Sequence, residues 1–137
     1  MKKLIVKING KQKNEQQATI KMQAIANSYE KNDFLYVIYK ENDLSEKQET
    51  STMLKIGKNN LTLTRTGGVK HQQFFAQGHE STSEYKTPYG NLQMTTKTHR
   101  LKIVTGTIST IKIDYALYIN SSWQSDNELI IKLEPAN

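Results

Sequence analysis

Cysteine is absent from the 137 residues, which excludes disulfides, thiolate metal sites and cysteine nucleophiles, and fits a reducing compartment. Proline occurs only twice, and arginine supplies only Arg65 and Arg100 among nineteen basic residues. Planar recognition of phosphates and bases favours arginine. The net charge of +6 therefore argues weakly for nucleic acid. The lysines are scattered rather than grouped, and lysine on the solvent face of strands discourages edge-to-edge association. No apolar run approaches the roughly 20 residues of a membrane helix, so no membrane association is expected. The opening MKKLIVKING imitates a signal peptide, but Lys7 and Asn9 cut its apolar stretch short. The expectation is a cytoplasmic protein with one domain over residues 1–137, a length sufficient for one hydrophobic core.

What the sequence does contain is alternation with period two. In TISTIKIDYALYIN (residues 107–120), Ile111, Ile113, Tyr115, Leu117 and Ile119 share one parity, with Thr110, Lys112 and Asp114 between them. This is the signature of a strand with one buried face. Leu4, Val6 and Ile8 alternate in the same way, as do Leu129, Ile131 and Leu133. DFLYVIYKE (33–41) is apolar at both parities and predicts a strand in mid-sheet, covered on both sides. Thr52, Leu54 and Ile56, then Lys58-Asn59-Asn60, then Leu61 and Leu63 predict a hairpin with a left-handed turn. Gly67-Gly68 ends it, and VKHQQFFA begins another strand with Phe75 on the face of Val69, His71 and Gln73. Gly106 separates HRLKIVT from the strand after it. Residues 15–31 fit a helical stripe (Ala18, Met22, Ile25, Ala26, Tyr29) and a strand (Ala18, Ile20, Met22, Ala24) about equally. The count is eight or nine strands, an all-β antiparallel barrel or sandwich.

In Thr87-Pro88-Tyr89-Gly90, proline presets φ for the second position of a type I turn, and glycine accepts the left-handed conformation after it. This is a hairpin corner and needs no substrate. Tyr89 falls at its exposed tip.

YKE at 39–41, LKI at 54–56, LTLTRTG at 61–67, FFAQG at 74–78, YKTPYG at 85–90, Y-A-L at 115–117 and NELIIKL near the end occur in an order that resembles the YwiB-like family of small uncharacterised bacterial proteins. The resemblance runs over nearly the whole chain. It implies a calycin-like, lipocalin-resembling β-barrel and tips residues 18–27 towards strand. It carries no established activity, so no functional residue is transferred.

The residues offer little for catalysis. His71, His79 and His99 lie far apart in sequence, without the close spacings of a metal site. No nucleophile-elbow glycines flank a serine. The glycines form neither a P-loop nor a dinucleotide fingerprint, and RTGGVK is too short a match to count, so no cofactor is expected.

The informative residue is Arg65, which continues the parity of Leu61 and Leu63 and so points to the interior or the rim. A barrel of about eight strands is either filled by side chains or holds one small ligand. In one reading Arg65 binds the carboxylate or phosphate of an anionic ligand, with Tyr39, Phe75 and Tyr115 as apolar wall. In the other it pairs internally with Glu41, which continues the parity of Leu35, Val37 and Tyr39, or sits at a solvated rim. An unpaired arginine in a dry interior would be costly. A small-molecule ligand is thus the leading partner. The alternative is a basic outer surface that takes nucleic acid or an acidic protein through lysines, Tyr89 and Trp123. Trp123, in the turn-rich INSSWQSDNEL, is expected to plug one end of the barrel.

Overall fold

The computed structural model describes residues 1–13, 19–41, 49–68 and 70–136. Ten strands follow one another: β1 (Lys2–Gln12), β2 (Thr19–Lys31), β3 (Phe34–Glu41), β4 (Thr50–Ile56), β5 (Asn60–Thr66), β6 (His71–Ala76), β7 (Glu80–Thr87), β8 (Gly90–Val104), β9 (Ser109–Ile119) and β10 (Ser122–Pro135). They form one antiparallel sheet in the order β6-β5-β4-β3-β2-β1-β10-β9-β8-β7. Chain neighbours pair throughout, and the ends of the chain meet where β1 pairs with β10.

The sheet curls until its two edge strands touch, giving a nearly closed barrel. Between β6 and β7 there is no ladder among the described residues. Backbone hydrogen bonds join Lys70 and Lys86 in both directions. Beyond them, the hydroxyl of Ser83 donates to the Gln72 carbonyl at 2.5 Å, and that of Ser81 to the Phe74 carbonyl at 3.1 Å. Side-chain hydroxyls thus satisfy edge carbonyls that a neighbouring strand would otherwise cover.

Ten strands replace the expected eight or nine, and the ambiguous segment is resolved as β2. It pairs on one side from Lys11↔Thr19 to Lys2↔Ser28 and on the other from Asn27↔Ile38 to Lys31↔Phe34. Two ladders satisfy its backbone where a helix would leave β1 and β3 with open edges. Ala24, Ala26 and Ser28 face inward, while Ile25 stays on the solvent side at 61% exposure, which breaks the helical stripe. Ala18 and Val69 lie outside the described residues.

The turns partly depart from expectation. Pro88 and Tyr89 form the corner between Thr87 and Gly90, with Gly90 at φ 134° and the Thr87 hydroxyl donating to the Gly90 carbonyl at 2.8 Å. The left-handed turn expected at Lys58-Asn59-Asn60 is corrected: no residue there has positive φ, and the Gly57 N–H bonds the Asn60 carbonyl instead. The left-handed pairs are Asn32-Asp33 (φ 52° and 67°) and Asn120-Ser121 (48° and 69°), each a two-residue hairpin loop of the kind whose twist matches the strands.

NLQMTTKTH and HRLKIVT are one strand, β8, broken by a bulge at His99. The extra residue changes the parity of the buried face, from Met94, Thr96 and Thr98 before it to Leu101 and Ile103 after it. β3 lies in mid-sheet as expected, but among the described residues no second layer covers its outer face. Tyr29 stacks on Tyr36 with centroids 4.8 Å apart, and the Lys55 ammonium lies 4.3 Å from the Phe34 ring centroid. Trp123 does not plug the barrel. It pairs with outward-facing Tyr118 before a bulge at Gln124, is 52% exposed, and donates its indole N–H to Asp126 at 3.3 Å.

Candidate functional site

The interior changes character at one level. On β3 to β6 the inward residues form rows of register partners: Leu35, Ile56, Leu61 and Phe75, then Val37, Leu54, Leu63 and Gln73, then Tyr39, Thr52, Arg65 and His71, and finally Glu41 with Thr50. Across β8 to β10, Leu101, Ile113 and Leu129 give way in the same sense to Thr98, Tyr115 and Asn127, and then to Thr96, Leu117 and Ser125. One half of the barrel is therefore a packed apolar core around Val6, Leu54, Leu61, Phe75, Ile111, Ile113 and Ile131. Most of the buried polar side chains lie in the other half.

That polar half holds a cavity of about 960 Å³ open at the barrel end, at the upper end of the usual size for small-molecule sites. Tyr39, Glu41, Leu63, Arg65, His71, Gln73 and Tyr85 line one side, and Ile8, Met22 and Leu129 supply apolar surface from β1, β2 and β10. Phe75 and Tyr115 do not border it. They pack edge to face with centroids 5.1 Å apart, and the fully buried Phe75 belongs to the core. The five residues singled out in the sequence thus divide: Tyr39, Glu41 and Arg65 border the cavity, whereas Phe75 and Tyr115 pack against each other.

Arg65 and Glu41 meet as an ion pair, Nη2 to Oε2 at 2.5 Å, with each side chain about one third to one quarter exposed. The pair uses one edge of the guanidinium. Its Nε is buried without a hydrogen-bond partner among the described residues, and so are both ring nitrogens of His71. His71 is the cross-strand neighbour of Arg65 and lies against the Tyr85 ring, centroids 4.8 Å apart. Burial, with the Arg65 charge second, pushes the His71 imidazole down to about 4 and keeps it neutral. Burial chiefly, and then the Glu41 carboxylate, raise the Tyr39 phenol well above its ordinary value, partly opposed by Arg65 and the Thr52 hydroxyl. Burial also raises Tyr115. Both phenols act as neutral hydrogen-bonding groups.

His71 escaped the sequence reading as a site residue because a lone histidine in an alternating strand carries no motif. The signal that could have found it is register: once Thr52 and Arg65 are paired through the first hairpin and Arg65 and His71 through the second, three polar residues fall in one inward row. Of the other histidines, His79 faces Phe74 edge-on and His99 occupies the bulge, both on the exposed side. Among the described residues no three His, Asp or Glu side chains converge, and no helix is long and apolar enough to cross a membrane.

The model of the family described as Domain of unknown function (DUF1934) matches residues 6–131. The chain belongs to this family. Within solved structures it is similar to the ywiB protein from Bacillus subtilis, with a TM-score of 0.87 over 99% of this chain and 93% of that one, at 20% sequence identity. At that identity the likeness speaks for the fold alone, and it agrees with a YwiB-like barrel. No curated protein matches the chain. The family's description assigns no activity, so the chemistry must be argued from the cavity itself.

Proposed function

We propose that the protein is a non-enzymatic, cytoplasmic, single-domain β-barrel that binds one small anionic or apolar molecule in its polar mouth. The observation that carries this reading is the cavity together with three buried nitrogens, Arg65 Nε and both of His71, that have no partner among the described residues. A buried polar atom without a hydrogen bond costs about 1–3 kcal/mol. Three of them side by side would be an unexplained loss in a barrel that merely needed to be packed.

The test is native mass spectrometry of protein purified from its own host, compared with the same sample after denaturation. A reproducible non-covalent adduct, lost in a folded Arg65→Ala variant, is the expected result. A bare mass in repeated preparations overturns the reading.

The alternative, a nucleic-acid or acidic-partner surface, draws on Tyr89, which is 99% exposed, and on Trp123. Several lysines it would use are already engaged: Lys7 with Glu134 at 3.1 Å, Lys13 with Asp114 at 3.1 Å, and Lys97 over the Tyr118 ring at 4.5 Å. Real phosphate contacts would weaken steeply with added salt, so RNA binding undetectable at low ionic strength removes that alternative.

A further inference from the structure

We propose that the ligand is an amphiphile with a single oxyanion head, carboxylate or phosphate, held between Arg65 and His71, and that its binding places a proton on His71. This rests on the small-molecule reading above and specifies the head group, the orientation and the linked proton.

The head follows from the donors. Arg65 Nε–H can only donate. Neutral His71 offers one donor and one acceptor, and protonated His71 offers two donors. Register partners on one face lie about 5 Å apart at Cβ, so Arg65 and His71 present their nitrogens to one place on the cavity wall. An acceptor-only group can bond the Arg65 Nε–H and one ring N–H of His71, whose two nitrogens point to opposite sides of the imidazole. An oxyanion is such a group.

The proton follows from charge. Arg65 and Glu41 already neutralise each other. An anion added beside neutral His71 would leave one uncompensated negative charge in a partly enclosed site, which is unfavourable. With His71 protonated, the set of Arg65, His71, Glu41 and ligand sums to zero. The surroundings of His71 contain no nearer compensation: β5 contributes Arg65, β7 contributes the Tyr85 phenol, β3 contributes Glu41 and the neutral Tyr39 further along the same wall, and β8 presents Thr96 and Thr98. Lys21 and Lys40 border the cavity on exposed parts of β2 and β3.

The orientation follows from the opposite wall. Ile8, Met22 and Leu129 suit an apolar body lying across from the polar row.

Three probes test this on the full chain by isothermal titration calorimetry: decanoate, decyl phosphate and decanol. The expected result is that decanoate, decyl phosphate or both bind at least tenfold more tightly than decanol, the better of the two identifying the head. Between pH 8 and pH 6, where decanoate itself stays ionised, its affinity should rise up to about tenfold per unit of pH lowered, as one-proton linkage requires. In two buffers of different ionisation enthalpy at one pH, the heats should differ by the uptake of up to one proton per ligand. This measurement uses the unaltered protein and does not depend on a variant folding. His71→Gln should make the affinity independent of pH, and Arg65→Met should abolish the preference over decanol.

Equal binding of decanoate and decanol, or binding without proton uptake, overturns the head-group inference while leaving the small-molecule reading intact. If none of the three probes binds although native mass spectrometry shows an adduct, the inference fails and the wider reading stands. If none binds and the mass is bare, both fail.

Discussion

His71 should make the ligand-free barrel sensitive to acid in a defined window. Its imidazole titrates near 6.5 when unfolded and is held down to about 4 when folded, by burial first and the Arg65 charge second. The folded state therefore resists a proton that the unfolded chain accepts. Stability tied to neutral His71 is fully present above about pH 6.5, falls as the pH drops towards 4, and is gone below it. The whole shift corresponds to about 3 kcal/mol at 1.36 kcal/mol per pH unit. Water reaching the cavity that His71 lines screens part of this, which leaves an effect on the order of 2 kcal/mol. The clean measurement is urea unfolding of refolded wild-type and His71→Gln proteins at pH 7.5 and pH 4. Exposed His79 and His99 are common to both proteins and cancel. With a slope of about 1–3 kcal/mol per molar urea, the wild type should lose on the order of 1 M of midpoint relative to the variant. Parallel pH profiles for the two proteins would show that the ring is not held neutral by its surroundings, and the electrostatic account of the site would fall with it.

Other outcomes follow from the packing. Phe75→Ala removes a fully buried ring packed on Tyr115 and should cost about 3–5 kcal/mol, a fall of about 10 °C or more in Tm by calorimetry. Gly67→Ala should destabilise more than Gly78→Ala: both have positive φ, but a Cβ at Gly67 would collide with the Glu49 carbonyl, whereas at Gly78 it meets open space. Comparing their urea midpoints decides this. Trp123→Ala should change stability by no more than about 0.5 kcal/mol, and native Trp123 fluorescence should be readily quenched by acrylamide. Glu41→Gln leaves the Arg65 charge without its partner and should cost about 1–3 kcal/mol, whereas the double variant with Arg65→Met should cost less than the single one. Additive costs in that double-mutant cycle would mean that the two side chains are not coupled.

Alternation was enough to place the inward faces of β1, β4, β5, β9 and β10, because a period of two has one structural meaning wherever one face is buried. It could not join NLQMTTKTH to HRLKIVT, since the bulge at His99 shifts the parity and so imitates a strand boundary. It also could not choose between helix and strand for residues 15–31, where the choice is made by the ladders to β1 and β3 and not by the segment's own pattern. The turns split by mechanism. Pro88, whose ring fixes φ, and Gly90, whose missing Cβ admits positive φ, announce the turn by their own covalent structure and were readable. Asn59 and Asn60 merely tolerate positive φ, and the chain uses that tolerance at Asn32 and Asn120 instead. Trp123 went outward because of one extra residue in β10, which nothing in its local composition announces. For the site, the inward course of Arg65 and its meeting with Glu41 were readable from parity. The split between Tyr39 and the Phe75–Tyr115 pair was not, because depth along the barrel depends on strand stagger.

The polar mouth also bears on how the barrel is held together. Replacing a partly buried ion pair by apolar residues of similar volume is often neutral or stabilising, by about 1–4 kcal/mol, and the opposite half shows that this chain packs a dry interior well. Polar residues nevertheless occupy consecutive inward levels on β3 to β6 and on β8 to β10, and the unpartnered nitrogens of Arg65 and His71 fall on adjacent strands. The strand that carries His71 is also one of the two edge strands of the sheet. β6 has a ladder to β5 on one side, and towards β7 the described residues show the backbone bridge at Lys70, two serine hydroxyls and the His71–Tyr85 ring contact. Incomplete hydrogen bonding in the cavity and incomplete closure of the sheet therefore coincide on β6. Local rules broken together at one place are what a binding site demands of a scaffold. A packing defect would have no reason to align Arg65, His71 and the seam.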